Sequence, residues 1–225
     1  MTYEMDIAGL KRELPLCRVT DEPYIGAFVM FGDVELTVHC AAELLKRAPE
    51  YDYLIAPEAK AIPLLYEMAR QSGAEKYFLA RKGAKAYMTG VFEVEVRSIT
   101  TMHIQKLVID TADAELMRGK RILIIDDVIS TGESLHAMEE LVRRAGGVIA
   151  GRMAVLAEGA AAERHDIITL APLPLFNADG RITAFSWPHP ASPLLSTSAA
   201  ASAASRPSLT APSPPSHTLS TPTSL

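Results

Sequence analysis

The 225-residue chain has only two cysteines, Cys17 and Cys40, and no run of 18 apolar residues. Two thiols cannot form the disulfide framework of a small secreted domain, so we expect inert thiols in a reducing cytoplasm. The lack of a long apolar run excludes a conventional membrane-spanning helix. The first residues, MTYEMDIAGLKREL, are polar and acidic, so no secretory signal is expected. The small number of cysteines and the lack of a long apolar run are typical of a cytoplasmic protein without a membrane partner.

An excess of positive charge is also missing. The net charge is −5, and residues 1–180 carry about −7, because Arg181 and Arg206 are the only charged residues after Gly180. Since phosphate neutralisation dominates nucleic-acid affinity, so acidic a body is a poor partner for DNA or RNA. The hydrophobic content of 48% is ample for the core of a globular enzyme of this length.

Residues 181–225 lack Asp and Glu altogether, yet they hold eight of the fifteen prolines and are otherwise rich in Ser, Ala and Thr. Such a composition cannot bury enough apolar surface to offset the entropy of ordering. We therefore predict a folded domain over residues 1–180 and a disordered tail over residues 181–225. The change in composition is so abrupt that a frameshift or read-through is an alternative origin for the tail.

The most informative segment is RILIIDDVISTGES, Arg121–Ser134. Ile122–Ile125 is wholly apolar and predicts a strand buried on both faces. Asp126 and Asp127 follow directly, so we expect both carboxylates to be exposed at the strand end. The small polar turn from Ser130 to Ser134 then leads into a helix with apolar residues at helical spacing. In an open parallel sheet, ligands bind beyond the carboxyl ends of the strands.

This pairing of features favours a particular class of ligand. A helix start with free N–H groups attracts phosphate, whereas two nearby carboxylates would repel a polyphosphate and need hydroxyls or magnesium as partners. A ribose 5-phosphate supplies a diol and a phosphate at about that separation. A structural alternative is a capping box between Ser130 and Glu133, which could coexist with phosphate binding.

The remaining elements between residues 36 and 180 alternate between strands and helices, which predicts an α/β fold with a parallel sheet. Asp33 is placed to cap a helix with Val34, Val38, Ala41, Ala42 and Leu45 on one stripe. The other predicted elements are strands Tyr53–Ala56, Tyr77–Ala80 and Val148–Leu156, helices Ile62–Gln71 and Ala112–Arg118, and a hairpin of Phe92–Arg97 with Thr101–Ile109. The first 35 residues or so lie outside the pattern and predict a small hood over the sheet edge.

Two further strand ends carry charged segments that fit a polyphosphate. Pro57–Ala61 follows the first strand of the predicted sheet and contains Lys60. Arg81–Lys85 follows the next strand and brings three cations within five residues. A basic run of this kind is usually only a solvated loop, but its position at a predicted strand end favours a pyrophosphate clamp.

These motifs resemble those of the type I phosphoribosyltransferases, whose signature is a hydrophobic run, Asp-Asp, two residues and Ser/Thr-Thr-Gly. The chain is most similar to the adenine phosphoribosyltransferases and their purine relatives, through Phe31-Gly32-Asp33-Val34 and Arg81-Lys82-Gly83-x-Lys85. The resemblance covers roughly residues 20–180. It implies an open parallel, Rossmann-like sheet with a small N-terminal hood and a flexible hairpin lid, here about Tyr87–Gln105.

The resemblance also implies a reaction, in which adenine and phosphoribosyl pyrophosphate give AMP and pyrophosphate in purine salvage. It implies a catalytic role for Asp126 and Asp127, with magnesium carried by the substrate near this pair and no direct protein ligand. A homodimer is expected as well. The implied contacts to phosphoribosyl pyrophosphate are Glu58, Ala59, Lys60, Arg81, Lys82, Lys85, Ile129, Ser130, Thr131, Gly132, Glu133 and Ser134. The implied contacts to the base are Phe28, Phe31 and Val128. A non-proline cis peptide is common in the family's loop at Glu58–Ala61.

Three departures from the family pattern leave the base open. Gly32 replaces an arginine near the base, Ala61 replaces a loop glycine and so could strain that loop, and Glu133 replaces a second signature glycine. A xanthine or other purine phosphoribosyltransferase is therefore an alternative. Another alternative is a non-catalytic regulator that binds phosphoribosyl pyrophosphate. The regulator would be expected to carry a basic DNA-binding domain, for which the sequence shows no sign.

Overall fold

Strands and helices alternate through the middle of the chain, as the sequence predicts. This computed structural model describes residues 1–18, 24–97 and 104–184. The strands are β1 (Thr2–Ile7), β2 (Leu10–Arg18), β3 (Tyr24–Gly26), β4 (Tyr53–Pro57), β5 (Phe78–Ala80), β6 (Val91–Arg97), β7 (Ile104–Asp110), β8 (Arg121–Ile129), β9 (Val148–Glu158), β10 (Ile168–Leu173), β11 (Leu175–Phe176) and β12 (Ile182–Ala184). The helices are α1 (Val34–Leu45), α2 (Ile62–Ser72), α3 (Thr111–Met117) and α4 (Glu133–Arg144), with a short 3-10 helix at Gly159–Glu163.

The central sheet has the strand order β10-β9-β8-β4-β5, and every neighbouring pair in it is parallel. The predicted parallel α/β fold is confirmed. Because the strands all run the same way, their carboxyl ends meet at one edge of the sheet. The segments after β4, β5, β8 and β9 therefore share this edge.

Strand β8 lies in the middle of the sheet, and its apolar side chains serve two cores. Leu123 and Ile125 belong to a core cluster that also contains residues of α1 and α2. Ile122 and Ile124 belong to a second cluster with residues of α4. A strand covered on both faces needs no polar alternation, which explains its continuous apolar run.

The hood is a second, five-stranded sheet with the order β1-β2-β3-β11-β12. The predicted N-terminal hood is thus completed by two strands from residues 175–184. Strand β11 pairs antiparallel with β3 on one side and with β12 on the other. The predicted tail boundary at residue 181 was wrong, because β12 lies beyond it and pairs with β11. Residues 185–225 lie outside the described residues, and their disorder stays a prediction.

Helix α1 begins where the sequence predicts, but its buried face differs from the prediction. The Asp33 side chain accepts a hydrogen bond from the backbone N–H of Leu36 (3.0 Å), which caps the helix. The buried residues of α1 are Leu36, Thr37, Cys40, Ala41 and Leu44. Val34 is 75% exposed and Val38 37% exposed. The predicted stripe was therefore wrong at both valines, because α1 carries apolar residues on two faces and only one faces the core.

Asp33 also ties the hood to α1. Arg12 of β2 donates to both carboxylate oxygens of Asp33, at 2.6 and 3.2 Å. This guanidinium holds the pKa of Asp33 below its ordinary value. Because this pKa is lowered in the folded protein, the ionised carboxylate stabilises the fold at every pH above its ordinary pKa. The contribution is lost as the pH falls through the lowered pKa.

We expect Asp33→Ala to lower the free energy of unfolding at pH 7 by about 1–2 kcal/mol, the usual cost of losing a helix cap. The difference from wild type should shrink as the pH falls through the lowered pKa of Asp33, because wild type then loses the same ionised group. Urea unfolding at pH 7 and at pH 3 measures both effects. The control is Glu35→Gln, which removes a more exposed partner of the same Arg12 without touching the cap. A loss in Asp33→Ala that does not depend on pH would contradict the ionic contribution.

Candidate functional site

The acidic pair lies inside β8 rather than beyond it. Asp126 pairs in register with Ala154 of β9, and β8 continues to Ile129. Asp126 is 9% exposed and Asp127 5% exposed. The expectation of two exposed carboxylates was therefore wrong, because the apolar run underestimates the length of the strand. A buried carboxylate needs a partner far more than an exposed one does, so burial makes this pair a stronger candidate for ligand binding.

One oxygen of the acidic pair lacks a hydrogen-bond partner. Asp126 Oδ1 accepts the backbone N–H of Asp127 (2.9 Å), whereas Asp127 Oδ2 is buried without a hydrogen-bond partner. Burial and the neighbouring Asp127 raise the pKa of Asp126 well above its ordinary value, and Lys60 opposes the shift. A ligand that brings hydroxyl donors or positive charge to this point would satisfy both groups.

The turn before α4 is open to an anion. Helix α4 starts at Glu133 with Gly132 as its N-cap, and no side chain caps it. The proposed capping box between Ser130 and Glu133 was therefore wrong. Gly132 has φ of 80°, which favours glycine. Thr131 Oγ1 receives only a long bond from Glu133 N (3.4 Å), so first-turn N–H groups are left for a ligand.

The loop after β4 contains a cis peptide bond between Glu58 and Ala59, as the family resemblance implies. Ala59 and Lys60 are exposed, whereas Ala61 is fully buried. Ala61 has φ of −77° and ψ of −5°, an ordinary helical conformation at the N-cap of α2. The expected strain from alanine in place of glycine is not found, because this position does not use a left-handed conformation.

The loop after β4 is joined to the basic segment after β5 by Glu58. Its carboxylate pairs with Arg81 (3.2 Å) and accepts the backbone N–H of Lys82 (3.3 Å). Arg81 also lies over the ring of Tyr87, 5.7 Å from its centroid. Lys82 and Lys85 are exposed. Glu58 therefore neutralises Arg81 and positions the segment, while both lysine side chains face solvent.

The strand order brings these segments to one edge. Strand β4 lies between β5 and β8, and adjacent strands are about 4.8 Å apart. The segments after β5 and β8 are thus separated by about 10 Å at their origins. The predicted contacts Glu58–Lys60, Arg81–Lys85 and Ile129–Ser134 consequently lie at one edge of the sheet, and the acidic pair precedes the last of them on β8.

The predicted hairpin is present as β6 and β7. The two strands are antiparallel, and Val91 lies opposite Asp110 at one end and Arg97 opposite Ile104 at the other. Its tip, residues 98–103, lies outside the described residues. Strand β7 also meets the basic segment, because Arg81 and Val108 form an isolated antiparallel bridge. The role of this hairpin as a lid stays a prediction.

The three residues expected to contact the base lie in different environments. Phe28 is 4% exposed and belongs to the first core cluster, whereas Phe31 is 52% exposed. Val128 is half-buried and packs against the same cluster as Phe28. Their contact with a base stays a prediction.

Two residues at this edge were missed by the sequence reasoning. Glu158 ends β9, its Oε1 is buried without a hydrogen-bond partner, and burial raises its pKa while Lys60 lowers it. The sequence pattern that could have indicated Glu158 is the same as for the acidic pair, because Glu158 directly follows the apolar run Met153–Ala157. Arg164 lies beside Gly132 and had no local signal, because the contact depends on the fold after β9.

The carboxylate oxygens of Asp126 and Asp127 are the donor type that magnesium prefers. In the described part of the chain, no group of three or more His, Cys, Asp or Glu side chains is placed to hold a metal ion. The unpartnered oxygen of Asp127 fits a magnesium ion as well as it fits a hydroxyl donor. Among the described residues, no helix is long and apolar enough to cross a membrane.

Known proteins provide an independent comparison. An adenine phosphoribosyltransferase of Petrotoga mobilis is 29% identical over 163 residues, covering 65% of this chain and 84% of that protein. An orotate phosphoribosyltransferase of Caldanaerobacter subterraneus is 30% identical over 100 residues, covering 44% of this chain and 41% of that protein. The crystal structure of adenine phosphoribosyltransferase from Thermoanaerobacter pseudethanolicus has a TM-score of 0.55 at 21% identity, covering 76% of this chain and 95% of that one.

The family description phosphoribosyl transferase domain matches residues 37–174, more than half of the chain. This range contains the acidic pair, the turn before α4 and both charged segments. The shared fold with the Thermoanaerobacter structure agrees with the parallel sheet and its order of motifs. The chain therefore belongs to the type I phosphoribosyltransferase family and is similar to its adenine phosphoribosyltransferases.

Proposed function

We propose that this protein is a purine phosphoribosyltransferase that converts adenine and phosphoribosyl pyrophosphate to AMP and pyrophosphate. The observation that carries the proposal is the buried acidic pair, in which one Asp127 oxygen has no partner, shortly before a helix start without a side-chain cap. Asp126 and Asp127 suit ribose hydroxyls, and the turn before α4 suits the 5-phosphate. The cations after β4 and β5 suit the pyrophosphate. The similarity to adenine phosphoribosyltransferases supports adenine as the base.

In the proposed reaction, a purine ring nitrogen attacks C1 of the ribose as the bond from C1 to the pyrophosphate oxygen breaks. The bonding electron pair leaves with pyrophosphate, and the purine nitrogen loses its proton. Positive charge develops on the ribose ring, as in glycoside chemistry. Asp126 and Asp127 would hold the hydroxyls and lie near that charge. Lys60, Lys82 and Lys85 would stabilise the departing pyrophosphate.

Magnesium fits this proposal as an ion carried by the substrate near Asp126 and Asp127, where it would neutralise pyrophosphate charge. The hairpin β6–β7 would exclude water, so that the base and not water attacks C1. Phe28, Phe31 and Val128 would contact the base. A cytoplasmic location agrees with such a role in nucleotide salvage.

A panel of bases tests the proposal. The protein is incubated with phosphoribosyl pyrophosphate, magnesium and adenine, hypoxanthine, guanine, xanthine or orotate, and nucleotide and pyrophosphate are quantified. AMP formed in preference to the other nucleotides is the expected result. Faster turnover of xanthine or another purine would show that this base, and not adenine, is the preferred substrate. Orotate tests whether the protein instead acts on a pyrimidine. Binding of phosphoribosyl pyrophosphate without turnover of any base would favour a non-catalytic regulator.

We propose that the protein is a homodimer and that a second copy covers the outer face of α1. Val34, Val38 and Tyr66 are exposed and line one depression together with Met30 and Pro63. Large apolar side chains grouped on a surface mark association sites.

We expect Val34→Glu combined with Tyr66→Glu to convert a dimer into a monomer, because two buried charges would lack partners at the interface. Sedimentation equilibrium measures the mass. The control is Val148→Glu, at an exposed apolar residue on another element, which should leave the mass unchanged. A monomeric wild type would contradict the homodimer.

A further inference from the structure

Arg164 lies against the turn that precedes α4. Its Nη1 atom is 3.2 Å from the point where a Cβ on Gly132 would lie. Nε and Nη2 of the same guanidinium donate to the two carboxylate oxygens of Asp166, at 2.9 and 2.7 Å. Asp166 thus holds one edge of the guanidinium plane, and this leaves Nη1 as the nitrogen that faces the turn.

Arg164 is part of a cluster that connects α4 to the segment after β9. Glu139 of α4, which is 8% exposed, accepts bonds from Arg143 (3.0 Å) and from Arg152 of β9. Arg164 Nη2 lies 4.0 Å from the same carboxylate. Three guanidinium groups therefore meet two carboxylates, Glu139 and Asp166. One positive charge is left over at the end of the cluster that reaches Gly132.

We propose that Arg164 binds the 5-phosphate of the ribose and makes the site specific for phosphate monoesters; the inference rests on the proposed function. An arginine is suited to phosphate because its planar group presents several donors in a fixed geometry. The N–H groups at the start of α4 would hold the phosphate from one side, and Nη1 of Arg164 from the other. The positive charge of Arg164, which lies directly against the turn, complements a phosphate dianion.

The ion pair with Asp166 has another simple interpretation, as a stabilising contact on the surface. Half-exposed pairs of this kind contribute little to folding, and the side chains of Arg164 and Asp166 are 36% and 49% exposed. The larger effect of the pair is to fix the orientation of the guanidinium. A fixed guanidinium loses less conformational freedom when a phosphate binds.

The two interpretations predict different binding by Arg164→Gln. The control is Arg143→Gln, which removes another cation from Glu139 but lies about 16 Å further along α4 from Gly132. Calorimetry with ribose 5-phosphate and with pyrophosphate measures each affinity for wild type and both variants. Arg164→Gln should bind ribose 5-phosphate about tenfold more weakly or worse, since a hydrogen bond to a charged group is lost. Its pyrophosphate affinity should be unchanged, and Arg143→Gln should match wild type for both ligands.

Arg164→Lys is the second variant, because it keeps the charge without the planar fork. It should lie between wild type and Arg164→Gln for ribose 5-phosphate, and it still tests the inference if the glutamine variant does not fold. Unchanged ribose 5-phosphate affinity in the Arg164 variants, or equal losses with Arg143→Gln, would overturn the role of Arg164 alone. A wild type that neither binds ribose 5-phosphate nor forms any nucleotide would instead overturn the proposed function.

Discussion

Asp126→Asn combined with Asp127→Asn should lower the rate of nucleotide formation by about 10²–10³-fold or more while raising the melting temperature. In the proposed reaction the two carboxylates lie next to the developing positive charge, so replacing them by neutral amides should lower the rate. One such electrostatic contact already contributes a factor of this size. The stability rises because the pair is buried and Asp127 Oδ2 has no partner. Sites that store unfavourable electrostatics for function often become more stable by about 0.5–2 kcal/mol when they are replaced.

The stability gain should depend on pH in a defined direction. Burial raises the pKa of Asp126 in the folded protein above its value of about 3.9 in an unfolded chain. The protonated acid therefore stabilises the fold at low pH, and this contribution is lost as the pH rises through the raised pKa. The double variant lacks the titration, so its advantage over wild type should be larger at pH 7.5 than at pH 4.5. Melting curves at the two values measure the difference.

Asp52→Asn is a matched control at the opposite edge of the same sheet. Asp52 accepts the backbone N–H of Arg121 (2.7 Å) and pairs with its guanidinium, which lowers the pKa of Asp52. This substitution should reduce stability and leave the rate unchanged, the reverse of the result for the acidic pair. A wild-type rate of nucleotide formation in the variant with both Asp126→Asn and Asp127→Asn would contradict the proposed mechanism.

Two pairs of substitutions should separate the two phosphate-bearing ends of the substrate. Lys82→Ala with Lys85→Ala should weaken phosphoribosyl pyrophosphate but spare AMP, which has the 5-phosphate and no pyrophosphate. Thr131→Ala with Ser134→Ala should weaken both ligands. Each lost hydrogen bond to a charged phosphate contributes about 1.5–3 kcal/mol, which is tenfold or more in affinity. Calorimetry of each variant with each ligand resolves the pattern.

Lys120→Ala is the control for the loss of positive charge. Lys120 is exposed just before β8, at the edge of the sheet away from the site, and its removal should leave both affinities unchanged. If the lysine pair weakened both ligands equally, the segment after β5 would not be the pyrophosphate site. If the threonine and serine pair spared AMP, the turn before α4 would not hold the 5-phosphate.

The sequence predicted those features that depend on neighbouring residues. The apolar run before Asp126 indicated a strand covered on both faces, and Asp33 indicated the start of α1; both are confirmed. The order of strand ends was enough to expect the charged segments near the acidic pair, since parallel strands end at one edge. Each of these inferences needs only the local pattern and the general behaviour of parallel sheets.

Features that depend on distant residues were not predicted. Strands β11 and β12 complete a hood sheet with β3, a pairing across about 150 residues that leaves no local pattern. Strand β10 was missed because its short sequence contains Pro172, which usually argues against a strand. The capping box failed because Gly132, in a left-handed conformation, is the N-cap of α4, two residues after the Ser130 N-cap that the box requires.

The packing of the hairpin limits how the proposed lid could close. Val94 of β6 and Leu107 of β7 are fully or nearly fully buried in the same core cluster as Leu135 of α4. A swing about the two ends of the hairpin would pull these side chains into water. If the hairpin is a lid, we therefore expect it to close by a bend within the hairpin, outward of Val94. In hydrogen exchange, the amide of Leu107 should remain protected whether or not substrate is bound, and substrate-dependent protection should be confined to residues nearer the tip.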